Sequence, residues 1–368
     1  MFDQVFDESN KGKLVIFGTG YVAITLFEML TAIGLDDYVR AFMISGVPDK
    51  PEMYGLPVIS LNTAKDDLSG NAVIVAVAEK YKAEIFSALH NCGISNVISA
   101  SFESNLNEEI RAEYVRKVFD GRDYAFAADI INGRKTAHWT DYKPAVYRVQ
   151  SHLDSSKVQV GAEYDYETVI QAGAALTPDR ISDACDDSGD NISYKNPQYC
   201  ELTALYWIWK NTNDPIVGMC HYRRHFRLNE EEISILFDEG YDVILTVPII
   251  HYPDVFTQYS HVHSADDWSV LVSGVKCLYP EYSDTLNEIG KGQFYCGYNM
   301  LITRRDIFDK YCEWVFPILE YCERECKPRT DKYQNRFVGF LAERLLTTYF
   351  WCNRDKYRIV FSTKEYLE

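Results

Sequence analysis

The stretch KLVIFGTGYVAITLFEMLTAIG, from Lys13 to Gly34, leaves few ways for this chain to fold. Leu14 to Phe17 are apolar without alternation, as a strand covered on both faces requires. Gly18-Thr-Gly20-Tyr-Val-Ala23 then turns the chain into a segment whose apolar residues recur at helical spacing. In this G-x-G-x-x-A pattern the glycines let backbone approach a phosphate at a helix N-terminus, which makes Gly18 and Gly20 candidate nucleotide-binding residues. Tyr38–Ser45 and Ala72–Ala78 repeat the buried-strand pattern, Lys80–His90 reads as a helix between strands, and Asn96–Ser99 as a fourth strand. Strands alternating with helices imply a parallel, doubly wound α/β sheet. A dinucleotide site also needs an acidic residue about 20 positions after the glycines to hold a ribose. Here the second strand ends in Ser45-Gly46, which counts against a dinucleotide site and leaves a purely architectural turn as the alternative.

The 368 residues exceed what one core usually holds, which implies two domains. We expect a Rossmann-like domain over residues 1–120, a connection over 121–142 and a second α/β domain over 143–368. With 54 acidic against 37 basic residues and a formal charge of -17, the surface repels polyanions, and no nucleic-acid partner is expected. An anionic ligand must then be drawn by a local cluster of cations. The ten cysteines are scattered, and Cys322 and Cys326 lack a second pair to complete a zinc site. With no secretory signal in view, they read as reduced thiols of a cytoplasmic protein. No apolar run approaches the roughly 18–20 residues that span a bilayer, which leaves only peripheral attachment at the inner face of a membrane. The 27 tyrosines suit sugar-binding surfaces, where a ring and a polar tip are both used.

In the second domain, Pro144–Gln150 reads as a strand ending in Ser151-His152, and Glu167–Ala172 as another. Next comes a polar loop with Asp183, Asp186, Asp187, Asp190 and Asn191. It can bind a divalent cation, hydrogen-bond sugar hydroxyls, or stand as a solvated acidic turn. Asn196-Pro197 opens a helix that places Tyr199, Leu202, Tyr206 and Trp209 on one face. Pro215–Cys220 is a buried strand that runs into His221-Tyr222-Arg223-Arg224. Asn229 and three glutamates then start a helix, Gly240 stops it, and Tyr241–Val247 is the next strand. The HYRR cluster therefore sits at the carboxyl end of a strand in a βαβ unit, where open α/β sheets bind ligands. Arginine offers a planar fork of donors that matches phosphate, and the bland alternative is pairing with nearby carboxylates. His263-x-x-x-Asp267 would be one helical turn apart, a spacing that suits an acid/base pair. Asn299 opens the strand Met300–Thr303, and Glu343-Arg344 lie in a glycine-containing helix from Arg336 to Leu346, adjacent in sequence and hence pointing in different directions.

Taken in order, IQAGAAL, DDSGDNISYKNPQYCELTALYWIWKN, VGMCHYRRHF, QY…H-x-x-x-D, NMLITRRDIFDKYCEW and R-x-x-GFLAERLL resemble an uncharacterised-domain family of bacterial glycosyltransferases from capsular and exopolysaccharide gene clusters. The first domain through GLPVIS, Gly55–Ser60, resembles the nucleotide-sugar-binding domain that precedes bacterial sugar acyltransferases. The resemblance implies a GT-A-like second domain, a nucleotide-diphosphate sugar donor, UDP-linked, and a polysaccharide or lipid-linked saccharide acceptor. On this reading His152, Asp186, Asp187, Asp190, Asn191 and Asn299 hold the donor, while His221, Arg223 and Arg224 take its diphosphate. Asp267, beside His263, is the expected base, with Glu343 as the second choice. GT-A enzymes usually end the central strand in Asp-x-Asp, which holds a divalent metal. Here the place reads His221-Tyr222-Arg223, so the expectation is a reaction that requires no metal or other cofactor. Two competing readings are an NAD-dependent nucleotide-sugar oxidoreductase or epimerase using Gly18 and Gly20, and a non-catalytic nucleotide-sugar-binding protein. The sequence assigns no oligomeric state.

Overall fold

A computed structural model describes residues 1–64, 71–119, 124–133, 143–154 and 164–367. The chain forms two compact units, Met1–Arg122 and Asp123–Glu368. It is an α/β protein with two mixed, mostly parallel sheets.

In the first unit, β1 (Leu14–Phe17), β2 (Val39–Ile44), β3 (Glu52–Met53), β4 (Leu56–Ser60), β5 (Ala72–Val75) and β6 (Val97–Ser99) assemble in the order β3-β4-β2-β1-β5-β6. Only the β3–β4 pair is antiparallel. Every residue of β1 and β5 is buried, which is why both lack alternation. Gly18 has φ +127°, and a Cβ there would lie 2.6 Å from the Ala76 carbonyl oxygen. Glycine is therefore required by the close approach of the turn to the end of β5, whatever the turn binds. Gly20 caps the helix Tyr21–Ile33 and faces open space. The helix Asn105–Val118 packs on Tyr21–Ile33 and so belongs to this unit. Of the connection expected at 121–142, residues 121–123 and 134–142 lie outside the described residues.

The second sheet is built from β7 (Ala125–Phe126), β8 (Ala145–Gln150), β9 (Glu167–Gln171), β10 (Ala184–Cys185), β11 (Ile216–His221), β12 (Arg224–Phe226) and β13 (Val243–Thr246), together with β16 (Leu301–Arg304), β17 (Ile359–Ser362) and β18 (Lys364–Tyr366). A separate pair consists of β14 (Ile249–Ile250) and β15 (Phe294–Tyr295). The main order is β10-β9-β8-β11-β16-β13-β17-β7, with β12 hydrogen-bonded to β11 and β18. Along that order only β16 runs against its neighbours. Gly218 lets β16 come close, since a Cβ there would meet the Ile302 side chain at 2.6 Å. Asn229 and Glu232 form a reciprocal capping box at the start of the helix Glu230–Asp238, as the sequence requires.

Two sequence expectations fail where a helix is interrupted. The helix expected from Asn196 is interrupted at Cys200, whose φ of +53° ends the short turn Asn196–Tyr199 before the helix Leu202–Asn211 begins. The segment holding His263 and Asp267 is not one helix either. Val255–Val262 stops at His263, which is extended at φ -132° and ψ -174°, and a new helix runs from Ala265 to Leu278. No described helix is long and apolar enough to cross a membrane.

Candidate functional site

The strand order of the second sheet reverses between β8 and β11, because the chain passes from β8 to β9 and β10 on one side and then crosses to β11 on the other. Open sheets bind ligands at the carboxyl ends of strands flanking such a point. β16 is antiparallel, so the residues before it, Tyr298 and Asn299, start at this same edge. His221 ends β11 and pairs directly with Arg224, leaving Tyr222 and Arg223 as a two-residue turn. Opposed residues share a face, so Arg224 lies with His221 while Arg223 stands exposed at the turn tip. The Arg224 guanidinium lies 4.3 Å from the centre of the Tyr298 ring.

The Tyr298 peptide is the hub of this edge. Its N–H donates to Glu343 Oε1 at 2.8 Å, and its carbonyl accepts from His221 Nε2 at 2.6 Å. The next side chain, Asn299, donates through Nδ2 to Glu201 Oε1 at 2.6 Å, and its buried Oδ1 has no hydrogen-bond partner among the described residues. Four non-glycine residues have positive φ among those described, and three of them, Cys200, Tyr298 and Asn299, are here. Such backbone costs about 1–3 kcal/mol per residue and gathers where function demands it. Gly339 permits the arrangement, since a Cβ there would sit 3.2 Å from Cys200 Sγ.

Burial, reinforced by the Arg224 charge, pushes the His221 imidazole down to about 3, so it is neutral and its Nε2 carries the proton given to Tyr298. Burial raises Glu201 above the ordinary carboxylate range, opposed by Asn299, Arg336 and Arg224. Glu343 is raised by burial too, opposed by Arg344 and the Tyr298 N–H. Adjacent in sequence, Glu343 and Arg344 nevertheless meet, at 2.7 Å, because the arginine folds back along the helix, contrary to the divergent directions expected. The edge thus combines a neutral imidazole, guanidinium groups and two carboxyl groups disposed to take up a proton. That set can hold an anion and deprotonate a hydroxyl.

The other sequence-predicted residues are distributed as follows. His152 follows β8 at this edge, half-buried, its Nδ1 without a hydrogen-bond partner among the described residues. Asp186 is fully buried and accepts from the Gly173 and Ala174 N–H groups and from Ser193, which fixes the turn after β9. Asp187 pairs with Arg180 at 2.7 Å, Asp190 accepts from Tyr206, and Asn191 bonds to Gly189 and Ser193. The acidic loop is therefore divided among separate structural contacts and gathers into no single ligand set. Asp267 is buried and paired with Arg329 at 2.8 Å. His263 stacks on Phe340, with ring centres 4.0 Å apart, and burial and Arg344 lower it to about 4. The helix break removes the one-turn spacing on which a His263–Asp267 pair was expected. Glu201, Cys200 and Arg336 were not singled out by the sequence as site residues, although Glu201 is a carboxylate placed at the start of an apolar helix.

Among the described residues, one group has metal-ligand proximity: Glu167, Cys220 and His225. It lies on the opposite face of the sheet, because Cys220 and His225 each neighbour a residue of the site in an extended strand. His225 Nδ1 sits 2.8 Å from Glu167, Cys220 donates to the same carboxylate at 3.2 Å, and Arg148 supplies a positive charge at 3.8 Å. This buried network ties β12, and with it Arg224, to the sheet.

A family profile described as a domain of unknown function, DUF4422, matches residues 149–355. No curated protein matches the chain in sequence. Among solved structures, the chain is similar to the WbbM bifunctional glycosyltransferase in its apo form, at 27% identity and a TM-score of 0.54. The match covers 61% of this chain and 45% of that one, so the chain spans less than half of its relative's length.

Proposed function

The chain belongs to the DUF4422 family, and from that premise we propose that it is a glycosyltransferase which moves a sugar from a nucleotide-diphosphate donor, UDP-linked, to a polysaccharide or lipid-linked saccharide acceptor. The observation that carries this reading is the convergence of His221, Arg224, Glu201 and Glu343 on the strained Tyr298–Asn299 segment at the switch point of the sheet. The likeness to a glycosyltransferase supports it, as does a main strand order that is parallel except for β16, the arrangement expected of a GT-A-like domain.

In this mechanism the donor diphosphate lies against Arg224 and the rim of β11, with His152 and the residues after β8 and β9 on the nucleoside side. Glu343 takes the proton of the acceptor hydroxyl. The acceptor oxygen bonds to the anomeric carbon as the bond to the diphosphate breaks, and the departing negative charge stays on the diphosphate beside Arg224. Transfer of that proton to Glu343 is eased by its raised proton affinity. Where Asp-x-Asp would stand, β11 runs into His221-Tyr222-Arg223-Arg224 with no carboxylate of its own, so in this mechanism the Arg224 guanidinium takes over the charge-neutralising role.

Thermal-shift and calorimetric screening against UDP, UDP-sugars and NAD tests the assignment, followed by donor-consumption assays with and without chelator. A UDP-sugar that stabilises the protein and is consumed equally in the presence of chelator is the expected result. Binding of NAD alone, or nucleotide-sugar binding with neither hydrolysis nor transfer, would replace the proposal with the oxidoreductase or the sensor reading.

A further inference from the structure

Arg336 occupies the end of the short turn Gln334–Arg336, just before the helix Phe337–Cys352. Its side chain is held without a carboxylate. The Nε–H donates to Cys200 Sγ at 3.0 Å, and the guanidinium carbon lies 5.7 Å from the Phe340 ring centre and 6.0 Å from that of Tyr333. Neither terminal nitrogen makes a hydrogen bond to a described residue, and no described carboxylate lies within 4 Å. In a chain with 54 acidic residues, a surface arginine fixed by a thiol and two aromatic faces has its fork left over for something else.

The position of that fork is set by the contacts around Cys200. Cys200 accepts from Arg336, its neighbour Glu201 accepts from Asn299, and Tyr298, next to Asn299, carries Arg224 over its ring and His221 on its carbonyl. The Arg336 and Arg224 charges both act on His221 and on Glu201. Two guanidinium groups from distant segments therefore stand at the edge that holds His221. We propose that Arg336 is the second anion-binding arginine of this edge and that, with Arg224, it clamps the diphosphate of the nucleotide donor. The proposal rests on the glycosyltransferase reading for the identity of its ligand. It replaces the contiguous Arg223-Arg224 pair suggested by the sequence with a pair assembled by the fold. A planar fork on each side of a diphosphate allows bidentate contact with both phosphoryl groups, which a single arginine cannot provide.

The test is calorimetry of the full chain with UDP and with inorganic pyrophosphate, comparing wild type, Arg336→Ala, Arg336→Lys and Arg324→Ala. Arg324 is an exposed arginine on another helix and controls for the loss of one positive charge. Arg336→Ala is expected to weaken both ligands by about tenfold or more, the worth of hydrogen bonds to a charged group. Arg336→Lys should recover only part of the affinity, since lysine keeps the charge and lacks the fork, and Arg324→Ala should bind like wild type. Equal thermal midpoints for the variants would show that the loss is not one of folding. Wild type that binds UDP while Arg336→Ala binds it equally well overturns the clamp and leaves the glycosyltransferase reading standing. Wild type that binds neither UDP nor pyrophosphate overturns both.

Discussion

Replacing Glu343 with glutamine separates its chemistry from its structural work. The Oε1 that accepts the Tyr298 N–H survives as an amide oxygen, so the hub peptide keeps its partner. What disappears is the negative charge, both as a base and as the partner of Arg344, whose buried guanidinium retains the Phe340 carbonyl, Gln258 and the faces of Tyr295 and Tyr259. Loss of a general base lowers turnover by about 10²- to 10⁴-fold, or about 2.7–5.5 kcal/mol of barrier. The stability cost is smaller, because its raised proton affinity means that the fold as a whole does not favour the ionised form, and what is lost is the bond to Arg344. Glu343→Ala should cost more stability, because the Tyr298 N–H also loses its acceptor. The assay is donor consumption at saturating substrate, with thermal unfolding recorded in parallel. Because burial raises the pKa of Glu343 above its usual 4.5, and the base acts when ionised, wild-type turnover should climb with pH through that raised value and then level off. Glu343→Gln should lack this limb. A folded Glu343→Gln enzyme that turns over within about threefold of wild type would refute the assignment of the base.

Glu201 predicts a stability trend. Its folded pKa lies above the unfolded 4.5, so as pH rises through 4.5 the unfolded chain ionises first and stability falls until the raised value is passed. Glu201→Gln, which keeps an acceptor for Asn299, should therefore melt higher than wild type at pH 7 and closer to it at pH 4; equal midpoints at pH 7 would contradict this. Asp267→Ala strands the Arg329 guanidinium and should cost about 3–5 kcal/mol, read by denaturant unfolding. Gly18→Ala combines an unfavourable φ with a 2.6 Å contact to backbone and should cost at least about 1–3 kcal/mol, visible as faster amide exchange over Leu14–Ile33.

Regular structure was legible wherever burial imposed a pattern. β1 and β5 are apolar throughout, and β11 and β13 are apolar as far as their last residues, His221 and Thr246, because both faces are covered, and the capped helix after Asn229 fixed where β11 had to end. That placed HYRR at the carboxyl edge, yet periodicity could not say which arginine turns inward. The choice depends on His221 pairing with Arg224 across a two-residue turn, and β12 is held there by the buried Glu167–His225 contact and by β18, more than a hundred residues later. The break between His263 and Asp267 did leave a trace, since Ser264-Ala-Asp-Asp267 has the form of a helix start. Glu201 and Arg336 left only faint ones, a carboxylate at the start of an apolar helix and the arginine that opens R-x-x-GFLAERLL. Each adjoins a backbone irregularity, Cys200 at positive φ and the turn Gln334–Arg336, and the two irregularities are stabilised by one another through the close contact of Gly339 with Cys200 and the bond from Arg336 to its sulfur. Neither segment would adopt its conformation from local preference. The residues hardest to find are thus those whose geometry is set by the assembled edge, and strain held by tertiary contacts is the reason to look there for chemistry.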